Sequence, residues 1–382
     1  MVEESLNIVN QFNIDGILID VKPITNGNIN KTYIATFKMS SGDIKKFVVQ
    51  RINTTVFKEP YKVMKNITNI TKWIKEKSIS AGDLSHPFLE VIPTKNNSSL
   101  ATILDEDDEK QYYRAYNCIE DSISYDNSKD ERVIFNAGKA FGHFQKMLDG
   151  YPVETVEDTI EDFHNTPKRY NNFIKDVNND VCGRVNEVLP EIDFFVSNSN
   201  VASIITDLMS IGRIPTRITH NDTKVNNVML DKKTGDFLTV IDLDTVMLGS
   251  YLYDYGDGVR SAASNALEDD ENLNNVYLLD NLFEVYTNGY LSEISPHLTK
   301  DEVYNLGNSI EVITYELGLR FLNDYINGDT YFKTTKDKHN LIRARNQIQL
   351  LKDIQSKKKY VNDYILTTYN ENIKKLGLKN NI

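Results

Sequence analysis

Three oxygen-bearing side chains in one short stretch carry the chemistry that this sequence can do. They are Asp222, Asn227 and Asp242, within ITHNDTKVNNVMLDKKTGDFLTVIDLDT from Ile218 onward. Asp222 and Asn227 fall in the order H-x-D-x-x-x-x-N, the spacing of a phosphoryl-transfer catalytic loop. An aspartate can orient an attacking hydroxyl and take its proton. An asparagine offers a neutral oxygen to Mg2+, and the carboxylate of Asp242 offers a charged one; with phosphate oxygens completing the shell, two such ligands suffice. Asp244, two residues on, reads as lying on the same strand face as Asp242, either as a second metal contact or as a substrate contact. His220 and Asp254 read as braces that hold the loop, and Lys224 as a cation able to meet a phosphate or simply to be solvated.

The elements around these residues must position them. Apolar residues (Ile214, Ile218) lead in. Val228 to Leu230 predicts a strand, Lys232 to Asp236 a turn, and Leu238 to Leu243 a second strand that returns Asp242 towards Asn227. Upstream, Gly16–Pro23, Tyr33–Met39 and Ile44–Arg51 alternate as strands, and Met1–Phe12 reads as a short helix. Val63, Ile67, Ile70 and Ile74 share one helix face within 60–77. Phe88–Ile92 and Leu100–Leu104 predict strands paired with each other across Asn96–Ser99, and Tyr112–Ile119 closes this part. A small antiparallel sheet with one long helix is the amino-terminal lobe of a protein-kinase-like fold. From residue 129 the period becomes helical: 133–148, then around 167–179, 200–212, 274–288, 300–327 and 339–356. The expectation is an α+β, two-lobed fold, with residues 1–117 as the nucleotide-binding lobe and 118–382 as the catalytic and substrate-binding lobe.

In that frame Asn26, Gly27, Asn28, Asn30 and Thr32 lie between the first two strands, where a kinase places its phosphate-covering loop. Adenine would meet backbone groups of Asn117 to Ile119. The third strand departs from the usual pattern: Gln50 stands where a kinase has the lysine that pairs with the phosphates. Arg51 should point to the opposite face, which leaves Lys31 or a second metal ion to neutralise the phosphates.

Composition narrows the function classes. The 382 residues include 40% hydrophobic side chains and carry a formal net charge of -12, which argues against a nucleic-acid partner. Two cysteines, Cys118 and Cys182, suggest a reduced, cytoplasmic setting rather than a disulfide scaffold. No apolar run reaches the ~18 residues of a membrane span, and the first residues do not read as a signal peptide. Neither H-E-x-x-H nor C-x-x-C is present, so a zinc site is not expected.

With these strings in view, the chain resembles the aminoglycoside phosphotransferase/choline kinase superfamily, and within it the N-acetylhexosamine 1-kinases. The resemblance rests on H-N-D-T-K-V-N-N-V-M-L-D, I-D-L-D-T-V-M and Tyr253-Asp254-Tyr255-Gly256-Asp257. It extends to N-G-N-I-N-K-T-Y near 30, Q-R-I-N near 50, F-H-N-T-P-K-R-Y near 166 and E-L-G-L-R-F-L-N-D-Y near 320. It implies ATP and Mg2+ as cofactors and a small-molecule sugar as substrate, with Arg320 and Tyr331 against the sugar. It implies phosphorylation of the anomeric hydroxyl of N-acetylglucosamine or N-acetylgalactosamine. The alternatives are another acceptor (choline, homoserine or an aminoglycoside) or a nucleotide-binding module without turnover.

Overall fold

A computed structural model of the chain describes residues 7–24 and 30–379. Two compact units emerge from its contacts. One comprises Met1–Ile123, Gly150–Glu161 and Met229–Leu248; the other comprises Ser124–Asp149, Asp162–Val228 and Gly249–Ile382.

The first unit is built on an antiparallel sheet. Residues 7–9 are helical (α1), followed by β1 (Gly16–Ile24), β2 (Lys31–Met39), β3 (Ile44–Arg51), α2 (Pro60–Ala81), β4 (Val91–Ile92), β5 (Ala101–Leu104), β6 (Lys110–Asn117) and β7 (Ser122–Ile123). The strand order is β1-β2-β3-β6-β4, with β5 also on β6. The expected pairing of 88–92 with 100–104 is therefore replaced: each pairs with β6, Val91 against Tyr116 and Ala101 against Tyr113.

Strand alternation gives the sheet two distinct faces. Ala35, Phe37, Phe47, Val49, Tyr113 and Ala115 pack with Ile8, Val9 and Phe12 as the core of this unit. The even-numbered residues of β2, β3 and β6 face the other way, and in register they form the rungs Ile34–Val48–Tyr116 and Thr32–Gln50–Arg114. Lys31 shares its rung with Arg51 and Tyr113, on the side away from Gln50. Helix α2 starts at Pro60, buries Val63, Met64, Ile67 and Ile70, and ends at Gly82 in the left-handed region, where glycine has no Cβ to clash.

The second unit is helical. It contains α3 (Glu131–Leu148), α4 (Thr166–Asn179), α5 (Leu189–Ser197), α6 (Ile204–Ser210), the strand β8 (Arg217–Thr219), α7 (Tyr251–Ala263), α8 (Asp280–Ile294), α9 (Lys300–Ile326), α10 (His339–Ser356) and α11 (Lys358–Lys375). Asp130 caps α3 by accepting the Arg132 N–H, and Thr299 with Glu302 forms a capping box at α9. Helices α3 and α8 cross so closely that glycine is required on both. A Cβ on Gly142 would lie 2.4 Å from the Tyr290 carbonyl oxygen, and one on Gly289 would lie 2.1 Å from that of Phe135. Among the described residues, no helix is long and apolar enough to cross a membrane.

The chemistry-bearing stretch forms the hairpin β9 (Val228–Asp231) and β10 (Phe237–Val240), and β9 pairs with β7. Asp231 makes the turn by accepting the N–H groups of Lys233 and Thr234, each at 2.7 Å. Strand β10 ends at Val240, not at Leu243 as expected. Asp242 takes a left-handed conformation (φ 62°) and Leu243–Thr245 forms a 3-10 turn. The period of two is broken there, so Asp242 is exposed while Asp244 is buried; the shared face expected for them does not exist.

Candidate active site

In the helical unit the loop after β8 is clamped from below. Asp254, buried on α7, accepts the backbone N–H of His220 (2.9 Å) and of Asn221 (2.8 Å), and the Gln145 side-chain amide (2.8 Å). Thr223 Oγ1 donates to the Asp254 carbonyl at 2.7 Å. These bonds over-determine the loop, which lets Asn221 hold a positive φ of 63°. Burial pushes the Asp254 carboxyl above its usual value, and the donors only partly offset that. His220 is fully buried between the edges of Phe141 and Phe144, and its Nδ1 accepts the Asp222 N–H at 3.3 Å. His220 and Asp254 thus make the bracing contacts read for them from sequence.

The clamped loop presents Asp222. Its Oδ1 pairs with Lys224 Nζ at 2.8 Å, and its Oδ2 accepts from Asn227 Nδ2 at 3.0 Å. Burial opposes charge on Asp222, but Lys224, His220 and Asn227 outweigh it, and the carboxyl lies below its usual value. It is ionised at neutral pH, ready to accept a proton. Asp222 in turn raises Lys224 above the ordinary lysine value. Because Asn227 Nδ2 also donates to the Asp222 carbonyl (2.8 Å), its Oδ1 is turned away as an oxygen donor.

The sheet unit carries a separate charged network. Arg114, 1% exposed, donates from Nε and Nη2 to Gln50 Oε1 at 3.1 and 3.0 Å. Its Nη1 is ion-paired with Asp244, which is 3% exposed. Burial works against the guanidinium charge, yet Asp244 holds Arg114 above its ordinary value. Asp244 Oδ2 also accepts from Asn30 Nδ2 at 2.7 Å, and Gln50 Nε2 donates to Thr32 Oγ1 at 3.1 Å. Asn30, Thr32, Gln50 and Asp244, read as nucleotide and substrate residues, are thus one network inside this unit. Both oxygens of Asp244 are engaged within it. Asn26, Gly27 and Asn28 lie outside the described residues. Asn117 ties 88–90 to β6: its Oδ1 accepts the Glu90 N–H (2.7 Å), its Nδ2 donates to the Phe88 carbonyl (2.8 Å), and its own backbone N–H bonds to Glu90 O (3.1 Å). The Cys118 N–H bonds to Lys46 O, while Ile119 is buried at the end of the same segment.

Arg320 lies on α9 with its guanidinium 5.8 Å from the Tyr331 ring centre and 5.4 Å from that of Phe332. Tyr331 is exposed, but its backbone is pinned: Asp324 accepts the N–H groups of Thr330, Tyr331 and Phe332 at 2.8–2.9 Å. One turn before Arg320, buried Glu316 accepts Thr166 Oγ1 (2.6 Å), bonds His164 Nδ1 (3.0 Å) and pairs with Arg169 Nε (3.7 Å). His164 stacks on Tyr253, next to the Asp254 clamp.

Sequence reading missed Arg114, Gln145, Glu316 and Asp324 as organisers. Arg114 had a signal, a lone cation inside the strand run Gln111–Asn117. Gln145 had none, since a glutamine in a helix reads as solvent-facing.

The comparisons with known proteins speak for the family and the fold. The sequence matches the phosphotransferase enzyme family over residues 20–288, well over half of the chain. The chain belongs to that family. Among solved structures, a microcompartment-associated aminopropanol kinase is similar at TM-score 0.59 and 14% identity, covering 94% of this chain and 98% of that one. An amicoumacin kinase in complex with AMP-PNP, Ca2+ and Ami is similar at 0.55 and 11%, covering 91% and 92%. A Plasmodium vivax ethanolamine kinase is similar at 0.51 and 16%, covering 88% and 84%. At such identities the likeness speaks for the fold. This phosphotransferase family member has the expected α+β, kinase-like fold, with a β-rich amino-terminal lobe and a helical carboxy-terminal lobe.

Proposed function

We propose that this phosphotransferase family member phosphorylates the anomeric hydroxyl of an N-acetylhexosamine, using ATP and Mg2+ and yielding the sugar 1-phosphate. The observation that carries the reading is the Asp222 carboxylate held between Lys224 and Asn227 on a loop clamped by Asp254. The acceptor oxygen bonds to the γ-phosphorus, the bond to the bridging oxygen breaks, and ADP leaves. Asp222 orients the hydroxyl and takes its proton. An anomeric hydroxyl is more acidic than an ordinary alcohol, so a carboxylate of low pKa is an adequate base in a loose transition state where positioning dominates. Lys224 is placed to shift from Asp222 towards the transferring group as charge develops.

Asn227 in the helical unit, whose Oδ1 points away from Asp222, and Asp242 in the sheet unit, whose carboxylate is exposed on a left-handed residue, each carry an oxygen of the kind that suits Mg2+. When bound, the ion would neutralise charge on the phosphate oxygens. Half-buried Ile34 and Val48, on the rung next to Gln50, offer an apolar surface suited to adenine. Arg320 and Tyr331 are the candidate sugar contacts. Two arginines and a histidine around one Glu316 favour a neutral acceptor over a polycationic aminoglycoside or a choline there.

The test is ADP release with Mg2+ and ATP across N-acetylhexosamines, simple hexoses, choline, homoserine and kanamycin. Turnover is expected with the hexosamines. Asp222→Asn should lower kcat by about 10²–10⁴ while ADP still binds. Faster turnover with choline or kanamycin than with any hexosamine would overturn the acceptor assignment. No turnover with any acceptor would leave a nucleotide-binding module.

A further inference from the structure

The rung Thr32–Gln50–Arg114 crosses three adjacent strands and ends in a buried ion pair, although β3 lacks the cation that kinases place there. In protein kinases a lysine on the third strand meets the nucleotide phosphates. Here the positive charge has moved one strand over, from β3 to Arg114 on β6. The guanidinium cannot itself serve as an exposed phosphate ligand: it is 1% exposed, and three of its N–H groups are taken by Gln50 Oε1 and Asp244.

What it does instead is fixed by donor arithmetic. Arginine has only donors, and two of them converge on one end of the Gln50 side chain. That end must be the oxygen. The amide therefore has a single possible orientation, with its NH2 group directed away from Arg114. One Nε2 hydrogen goes to Thr32 Oγ1 at 3.1 Å. Thr32, as acceptor in that bond, keeps its own hydroxyl hydrogen to donate. Thr32, the second residue of β2, lies two positions after Asn30, which is tied to the same Asp244 by its Nδ2 and to the Asn53 N–H by its Oδ1. Gln50 and Thr32 thus each keep one hydrogen to donate, and the guanidinium polarises the amide N–H through its carbonyl.

We propose that Arg114, held by Asp244, is a positioning residue that locks and polarises the Gln50 amide, so that the second Nε2 hydrogen and the Thr32 hydroxyl donate to the nucleotide phosphates in place of a β3 lysine. This rests on the kinase reading above. The predicted device is a neutral anion-holding pair backed by a compensated buried charge, which leaves most of the neutralisation of the triphosphate to the metal ion.

Gln50→Glu in the full chain separates this from a purely structural role. A carboxylate keeps, and strengthens, the acceptor for Arg114 and can accept from Thr32, so folding is retained. It has no hydrogen to give a phosphate. Calorimetric titration with ADP and, separately, adenosine at fixed Mg2+ reads the difference. Wild type is expected to bind ADP more tightly than adenosine. In Gln50→Glu the ADP affinity should fall about tenfold or more with adenosine affinity unchanged and an unchanged or raised Tm. The double variant Arg114→Met/Asp244→Asn, which removes the charge pair together, should lose phosphate-dependent affinity in the same direction. ADP affinity equal to wild type in folded Gln50→Glu overturns the proposal and leaves the kinase reading standing. A wild-type protein that binds neither ADP nor ATP overturns both.

Discussion

Glu316→Gln should weaken the helical unit in a way that depends on pH. Glu316 is buried, which alone would raise its pKa, but His164, Arg169 and Arg320 hold it down from 4.5 to about 2. A carboxyl depressed on folding stabilises the native state at pH values above its unfolded pKa. That contribution is lost as pH falls from about 4.5 towards about 2. The depression of roughly 2.5 pH units corresponds to about 3 kcal/mol at neutral pH. Glutamine keeps an oxygen for Thr166 or His164, so the variant should lose about 2–3 kcal/mol, near 6 °C in Tm if the unit melts as one. Urea unfolding at pH 7, 4.5, 3 and 2.5 measures the gap between wild type and variant. It should be full at pH 7 and close below pH 4.5. The acceptor KM should also rise, because Arg169 and Arg320 lose the charge they are balanced against. A gap that is absent at pH 7, or that is the same at every pH, would refute the assignment of Glu316 as the charged anchor of this cluster.

Gly289→Ala places a Cβ 2.1 Å from a backbone oxygen that no side-chain rotation can relieve, so a loss of about 2–4 kcal/mol in thermal or urea unfolding is expected. Asp254→Ala leaves two loop N–H groups and the Gln145 amide without their acceptor; about 3–5 kcal/mol should be lost in urea unfolding, and kcat should drop further than ADP affinity in the surviving protein. Asn227→Ala removes an oxygen donor and an Asp222 partner at once, so the Mg2+ concentration for half-maximal turnover should rise at least tenfold; EDTA should abolish turnover in both wild type and variant.

Much of the fold was legible because its signals are local. The helices 133–148, 300–327 and 339–356 announce themselves by apolar spacing, and the turn at Lys232–Asp236 by its residue types. The helix Tyr251–Ala263 was hidden, since its glycines and aspartates read as loop; Asp254 was legible as a brace, whereas Gly256, against the Ser309 carbonyl, is explained by its tertiary neighbour alone. The strands at 91–92 and 101–104 were placed roughly but paired wrongly, because short strands have no register of their own.

The candidate site divides along the same line. The order of His220, Asp222, Asn227 and Asp242 is written into one contiguous stretch, because a loop and its hairpin are local structures whose spacing is their geometry. That string, with family membership over 20–288, decides phosphoryl-transfer chemistry from the chain itself. Tertiary structure alone decided that Asp244 turns inward, that Gln50 has an arginine behind it, and that Glu316 balances two arginines and a histidine. Arg114 lies 64 residues from Gln50 and 130 from Asp244. No spacing rule links such residues; sheet register and one 3-10 turn bring them together, and burial makes their pairing obligatory.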